Sequence, residues 1–273
     1  MKNTEPLVSI ITPVYNGSRY IEELILSVIE QDYSFIEHIV IDDGSTDNGK
    51  TVEILKKYKH LRWWSHHNKG AYATINEGLI ASKGELVTII CSDDFYASKT
   101  SISELVKLWC LNKDIDVVYG DTIRVDEKNN ILDDEPPRCV PLWLFRYYPG
   151  IAHCSLLIKR SIVINQDFLF DIRLLYTADY DWIIRLIKNG YKFKKSRKPI
   201  ASFRVHSNQR SQDDNMYKNN EHNIIRHLHG DINPVLMYIV DKWWRITKLK
   251  NLFLRRGFMY CVQRIYKKIK INK

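Results

Sequence analysis

Two apolar segments of this sequence end in paired carboxylates. Glu85-Leu86-Val87-Thr88-Ile89-Ile90-Cys91 runs into Ser92-Asp93-Asp94, and His38-Ile39-Val40-Ile41 runs into Asp42-Asp43-Gly44-Ser45-Thr46-Asp47. Adjacent acids repel, so a folded chain tolerates them best in water or around a cation. A hard divalent ion takes carboxylate oxygens and leaves positions open for substrate phosphates, which makes Asp93-Asp94 a candidate metal site. The Asp42 to Asp47 run reads either as a helix cap with spare acids or as an acceptor for a base or sugar. Asn68-Lys69-Gly70 reads as turn chemistry, with Lys69 facing a phosphate as the alternative. Thr177-Ala178-Asp179-Tyr180-Asp181-Trp182 opens an amphipathic segment, where acids either suit a helix start or place a general base at a cleft edge. His206 closes Phe203-Arg204-Val205-His206, as a structural residue or a ligand. His66-His67 and His227-Leu228-His229 have no cysteine partners at zinc spacing and read as surface residues.

The elements that must carry these residues follow from periodicity. Val8 to Thr12 reads as a first strand, and Pro13 to Gly17 as its turn. A helix follows with Ile21, Leu24, Ile25, Val28 and Ile29 at helical spacing. Strand two ends at Asp42, and a short helix capped from Ser45-Thr46-Asp47 reaches Tyr58. Leu61 to Ser65 is a third strand, Tyr72 to Ala81 a helix, and the fourth strand leads to Asp93. Another helix carries Ile102, Leu105, Val106 and Trp109, and Asp116 to Tyr119 is strand five. This alternation predicts βαβ units, a mostly parallel sheet, and ligands beyond the carboxyl ends of its strands. Beyond it, Thr122–Val125 and Ile131–Leu132 flank a hairpin turn. Trp143 to Tyr148 is aromatic-rich. Ser155–Ile158 and Ala201–Val205 read as strands, and Tyr180–Asn189 as a helix. From Asn215 the chain reads as helical to its end.

Composition bounds the partners. The 273 residues are 45% hydrophobic, enough for a substantial core. The net charge is +9, yet Lys242 to Lys273 holds eleven Lys and Arg and no acid, so residues 1–241 stand at −2. Basicity is a property of the tail. Its apolar residues recur at three- and four-residue steps, which suits a helix packed on the body or laid on an anionic membrane. No nucleic-acid motif accompanies it, so no nucleic-acid partner is expected. Five cysteines, an odd number without a CxxC pair, fit a reducing cytosol. No stretch approaches the ~18 apolar residues of a spanning helix, and the N-terminal apolar run reads as a strand, not a leader.

In order, the segments SIITPVYNG, IVIDDGSTD, NKGAYATINEGL, GELVTIICSDD, ADYDWIIRLIKNGYKF and FRVHSNQRS resemble the family-two inverting glycosyltransferases of GT-A fold. They cover roughly residues 7–211, and the likeness is greatest to bacterial enzymes of lipopolysaccharide and polysaccharide biosynthesis. The resemblance implies a GT-A domain over 1–212, with a nucleotide-sugar half at 1–121 and an acceptor and catalytic half at 122–212. A helical basic extension would follow at 213–273. It implies that Pro13, Val14 and Tyr15 line the nucleobase pocket and that Asp43 bonds the base, usually uracil. Asp93 would lie near the ribose or donor sugar. Asp94 would bind Mn2+ or Mg2+, and His206 would add a metal or diphosphate contact. Asp179 would be the catalytic base. The implied partners are a nucleoside-diphosphate sugar, a glycan or lipid-linked acceptor, and the inner face of the plasma membrane. Ser92 departs from a strict Asp-x-Asp motif, Ala178 from a common Glu, and Thr74 from an Arg that some members carry. Two rivals differ in class. A nucleotidyltransferase would want a Gly-rich basic phosphate loop, which PVYNGSRY does not make; a non-catalytic nucleotide-sugar-binding partner would not need Asp43, Asp94 and Asp179.

Overall fold

The computed structural model describes residues 5–112, 114–132, 150–209 and 215–230, with Val235, Tyr238, Lys242 and Ile246 beyond them. The aromatic segment Trp143–Tyr148 and nearly all of the basic tail lie outside the described residues. Among those described, an eight-stranded sheet carries helices on both faces. Its strands are β1 (Val8–Val14), β2 (Ile36–Asp42), β3 (Arg62–Ser65), β4 (Leu86–Ile89), β5 (Phe95–Tyr96), β6 (Val117–Val125), β7 (Leu156–Lys159) and β8 (Phe193–Arg204). They lie in the order β3-β2-β1-β4-β7-β6-β8-β5. Only β7 and β5 run against the rest, so the expected mostly parallel sheet is present.

The helices follow the apolar spacing. α1 (Ile21–Ile29) buries Ile21, Leu24, Ile25 and Val28 but leaves Ile29 exposed. α2 (Lys50–Lys56) starts later than its cap residues suggest, because Asn48 and Gly49 hold positive φ. Asp47 still caps it, accepting from Thr51 N at 3.1 Å and Thr51 Oγ1 at 2.7 Å. α3 (Ala71–Ala81) lies so close to the sheet that a Cβ on Gly78 would fall 2.5 Å from Ile11 Cγ2. α4 (Ser101–Cys110) packs opposite, and the short α5 (Arg160–Val163) follows β7. α6 (Ala178–Lys188) buries Trp182 completely, and α7 (Asn215–Leu228) sends Ile225 into the same core.

The second half differs from its reading in two strands. Val117 to Val125 is one strand, not a strand and a hairpin arm; the hairpin survives as a single Val125–Ile131 bridge. β8 begins at Phe193, well before Ala201. Its stretch Lys194-Lys195-Ser196-Arg197-Lys198-Pro199 has little strand signal, but β6 supplies the ladder, with an irregularity where Asp121 meets Pro199. Proline is tolerated in sheets at such irregularities.

Candidate active site

Parallel register decides where the chemistry gathers. Val14 lies beside Asp42, and Ile11 beside Ile89, so β1, β2 and β4 release their loops along one edge. Those loops are tied together. Asp43 N donates to Val14 O at 2.8 Å, and Thr46 N donates to Asn16 Oδ1 at 2.7 Å. Gly44, at φ 74°, passes so close to the 66–68 backbone that a side chain there would clash. Asp43 is 3% exposed, and its two oxygens accept the backbone N–H of Lys69 (2.7 Å) and Gly70 (3.0 Å). One carboxylate thus positions the turn that opens α3. Lys69 points its ammonium at Glu77, 3.0 Å away. Tyr15 is 48% exposed at the mouth of the same edge, while Pro13 and Val14 are buried.

The β4 loop separates its two acids. Asp93 Oδ2 lies 3.0 Å from His206 Nε2, at the end of β8. Asp94 is 3% exposed, and its Oδ1 accepts Arg204 N at 3.0 Å. Burial, and next the charge of Asp93, hold the Asp94 carboxyl well above the usual carboxylate range. Asp94 and His206 are the expected metal ligands; the structure brings His206 against Asp93, and Asp94 gives one oxygen to the β8 backbone. Arg204 fixes both. Its side chain is 1% exposed, donates from Nε to Asp93 O and from its terminal nitrogens to Glu23 and Asn129, and lies over the Tyr20 ring at 4.5 Å. Cys91 Sγ and the Asp93 and Asp94 oxygens all lie within 4.8 Å of one another. Carboxylates and an imidazole at this edge fit a divalent ion such as Mn2+ or Mg2+.

Asp179 sits at the first turn of α6. Its Oδ1 accepts Tyr180 N at 2.9 Å and faces Tyr72 Oη at 3.5 Å, and its Oδ2 lies 3.5 Å from His153 Nδ1. The other nitrogen of His153 lies 3.4 Å from Cys91 Sγ. The loop before α6 is held from α7: the Glu221 carboxylate accepts the N–H groups of Leu175, Tyr176 and Thr177 and the Thr177 hydroxyl. Two residues on, in the same turn, Asp181 accepts from Arg185 and His229, both at 2.7 Å. Burial raises the Asp181 carboxyl, and the His229 and Arg185 bonds outweigh it, leaving it below its usual range.

The family profile described as Glycosyl transferase family 2 matches residues 9–175. The chain belongs to that family. A glycosyltransferase of Rickettsia felis is 33% identical over 191 residues, 67% of this chain and 32% of the relative. One from Methanocaldococcus jannaschii is 28% identical over 215 residues, 74% of this chain and 71% of the relative. The chain therefore spans about a third of the length of the first of these relatives. Among solved structures, Staphylococcus aureus TarS 1-349 with UDP-GlcNAc superposes with a TM-score of 0.67 at 20% identity, covering 85% of this chain and 69% of that one. The Pyrobaculum calidifontis mannosyltransferase PcManGT, with GDP-Man and Mn2+, gives 0.63 at 16% identity over 98% and 81%. The fold of this family-2 chain is GT-A.

Five residues of this candidate site carried no sequence signal of their place in it. Cys91 lay inside an apolar strand, and Tyr72 and Arg204 inside periodic segments. His153 and Glu221 lay in stretches with no motif around them. His66 and His229 are not surface residues: His66 Nδ1 lies 3.5 Å from Asp43, and His229 binds Asp181. A lone histidine shows its partner only when distant carboxylates fold against it.

Proposed function

We propose that this protein transfers a glycosyl group, with inversion, from a nucleoside-diphosphate sugar to an acceptor hydroxyl. The observation that carries the reading is the contact chain from the β4 strand end through His153 to Asp179. It brings the Asp179 carboxylate, as the base of this reading, near the acids that would face the donor. Pro13, Val14, Tyr15 and Asp43 form the nucleobase side, and Lys69 belongs to it through the backbone that Asp43 grips. Asp94 and His206, with Asp93 beside both, would hold the cation. When bound, that cation neutralises charge on the diphosphate leaving group.

The chain's own residues supply the rest. Asp179 takes the proton from the acceptor hydroxyl. The acceptor oxygen bonds to the anomeric carbon as the bond to the diphosphate oxygen breaks, and the nucleoside diphosphate leaves with the electron pair. One displacement inverts the anomeric centre and needs no covalent intermediate. Holding both substrates at one strand edge contributes much of the acceleration.

The donor is a UDP sugar by this reading. TarS and PcManGT hold UDP-GlcNAc and GDP-Man, so a UDP and a GDP series are the two to compare. Residues 1–121 serve the donor, 122–212 the acceptor and base, and 213–273 are a basic extension. No helix among the described residues is long and apolar enough to cross a membrane. The eleven cationic residues of 242–273 support peripheral attachment to the anionic inner face of the plasma membrane, where a lipid-linked glycan of cell-surface polysaccharide biosynthesis would be the acceptor.

Calorimetry of UDP binding with Mn2+ and with EDTA, followed by a nucleotide-sugar panel read by diphosphate release, tests the whole reading. Mn2+-dependent binding and release with one donor series is expected. Binding without release under any acceptor condition favours a non-catalytic partner, and equal binding in EDTA removes the metal.

A further inference from the structure

His153 touches both halves of the site, and its surroundings select one protonation pattern. Antiparallel pairing of β7 with β4 (Leu86 beside Lys159, Val87 beside Ile158) carries the short turn His153–Ser155 alongside the end of β4. There Nε2 meets the Cys91 thiol at 3.4 Å. Nδ1 is buried, makes no hydrogen bond, and stands 3.5 Å from Asp179 Oδ2. A neutral imidazole has one N–H donor and one acceptor nitrogen. A thiol donates weakly, whereas a carboxylate only accepts. One assignment suits all three groups: Cys91 S–H donates to Nε2, and Nδ1–H faces the Asp179 carboxylate. The opposite tautomer would aim the Nδ1 lone pair at a carboxylate in a buried place, which costs an unmade bond and adds repulsion. Hydrogen bonds of catalytic groups are often long before substrate binds and tighten around it.

We propose that His153 is a positioning residue for Asp179, with Cys91 fixing its tautomer. Nδ1–H holds Oδ2, and the first-turn amide of Tyr180 holds Oδ1. The carboxylate is then clamped from two sides with its remaining lone pairs open to the acceptor hydroxyl. Because Cys91 belongs to the loop that carries Asp93, the same contact keeps the base in register with the donor. The inference rests on glycosyl transfer as the activity and on Asp179 as its base.

The test uses the full chain with its working donor. His153→Ala should lower kcat by roughly 10- to 100-fold, the usual cost of losing a group that orients a catalytic or metal-binding residue. Donor KM and Mn2+-dependent nucleotide affinity should be unchanged. His153→Asn, whose amide N–H replaces the Nδ1 donor, should recover a large part of kcat. His153→Gln, which matches the other ring nitrogen, should not. Loss of kcat and KM together, or equal loss in Asn and Ala, would assign His153 a packing role and overturn the proposal. A second arm does not depend on turnover: long-range proton–nitrogen NMR should show His153 as the Nδ1–H tautomer, with the preference relaxed in Cys91→Ala. An Nε2–H tautomer overturns the assignment. Failure of the wild-type protein to transfer any sugar would strike the proposed function, while the spectrum still decides the Cys91–His153–Asp179 arrangement.

Discussion

Glu221→Gln should destabilise the fold by about 3 kcal/mol and slow transfer, through residues that no motif marks. The Glu221 carboxylate is 7% exposed and receives four donors. Oε1 takes Leu175 N at 2.7 Å. Oε2 takes Tyr176 N (2.9 Å), Thr177 N (3.0 Å) and Thr177 Oγ1 (2.9 Å). A glutamine best keeps its oxygen at the Oε2 position. Three bonds then become neutral, each weaker by ~0.5–1 kcal/mol, since a charged partner roughly doubles such a bond. The amide NH2 must face Leu175 N–H, a donor against a donor, at ~1–3 kcal/mol. Leu175 is itself exposed, so water relieves part of that, and the sum settles near 3 kcal/mol. Urea denaturation of wild type and variant measures it, with exposed Asn220→Ala as a control expected within ~0.5 kcal/mol. Because the bonded loop delivers Asp179, kcat should fall further than donor affinity. A loss under ~1 kcal/mol with unchanged kcat would refute the idea that α7 holds the catalytic loop.

Three further outcomes follow from the same structure. Asp179→Asn should leave donor binding near normal and cut transfer roughly 100-fold or more, and near-normal turnover in a diphosphate-release assay would rule Asp179 out as the base. His38 is wholly buried beside Thr12, and burial, then the nearby His60, pushes it down to about 3. Its folded value lies below its unfolded one, so its contribution is full above ~6.5 and falls by up to ~1.4 kcal/mol per pH unit towards about 3. Urea midpoints between pH 7.5 and 5 should therefore drop more steeply in wild type than in His38→Asn, and equal slopes would count against it. Removal of residues 242–273 should leave a folded protein that no longer sediments with anionic liposomes; unfolding on truncation, or no liposome binding by the full chain, would mean that the tail packs on the body.

Much of the nucleotide half could be read from residue order alone. Apolar runs of four to seven residues alternate with segments of helical period, and only parallel strands joined by helices bury both patterns. That places Asp43, Asp93 and Asp94 at strand ends and on one edge, because parallel strands release their loops on the same side. Sequence also located Asp179 at a helix start and His206 at a strand end. It could not distribute roles between adjacent acids. Asp93 and Asp94 are one peptide apart and alike in charge, and only the pairing of β5 with the end of β8 ties one to the Arg204 backbone and turns the other to His206. β8 itself was half hidden, since Lys and Arg carry little strand propensity and the ladder to β6 determined the strand. His153 and Glu221 were silent for the same reason. Their partners lie 62 and 26 residues away in the first case and 44 to 46 in the second, and a hydrogen bond over such separations leaves no local pattern. The sequence determined which chemistry the strand ends can support, through local periodicity and residue type. The tertiary structure decided which carboxylate meets which imidazole, because a buried polar group must find its partner wherever packing puts one.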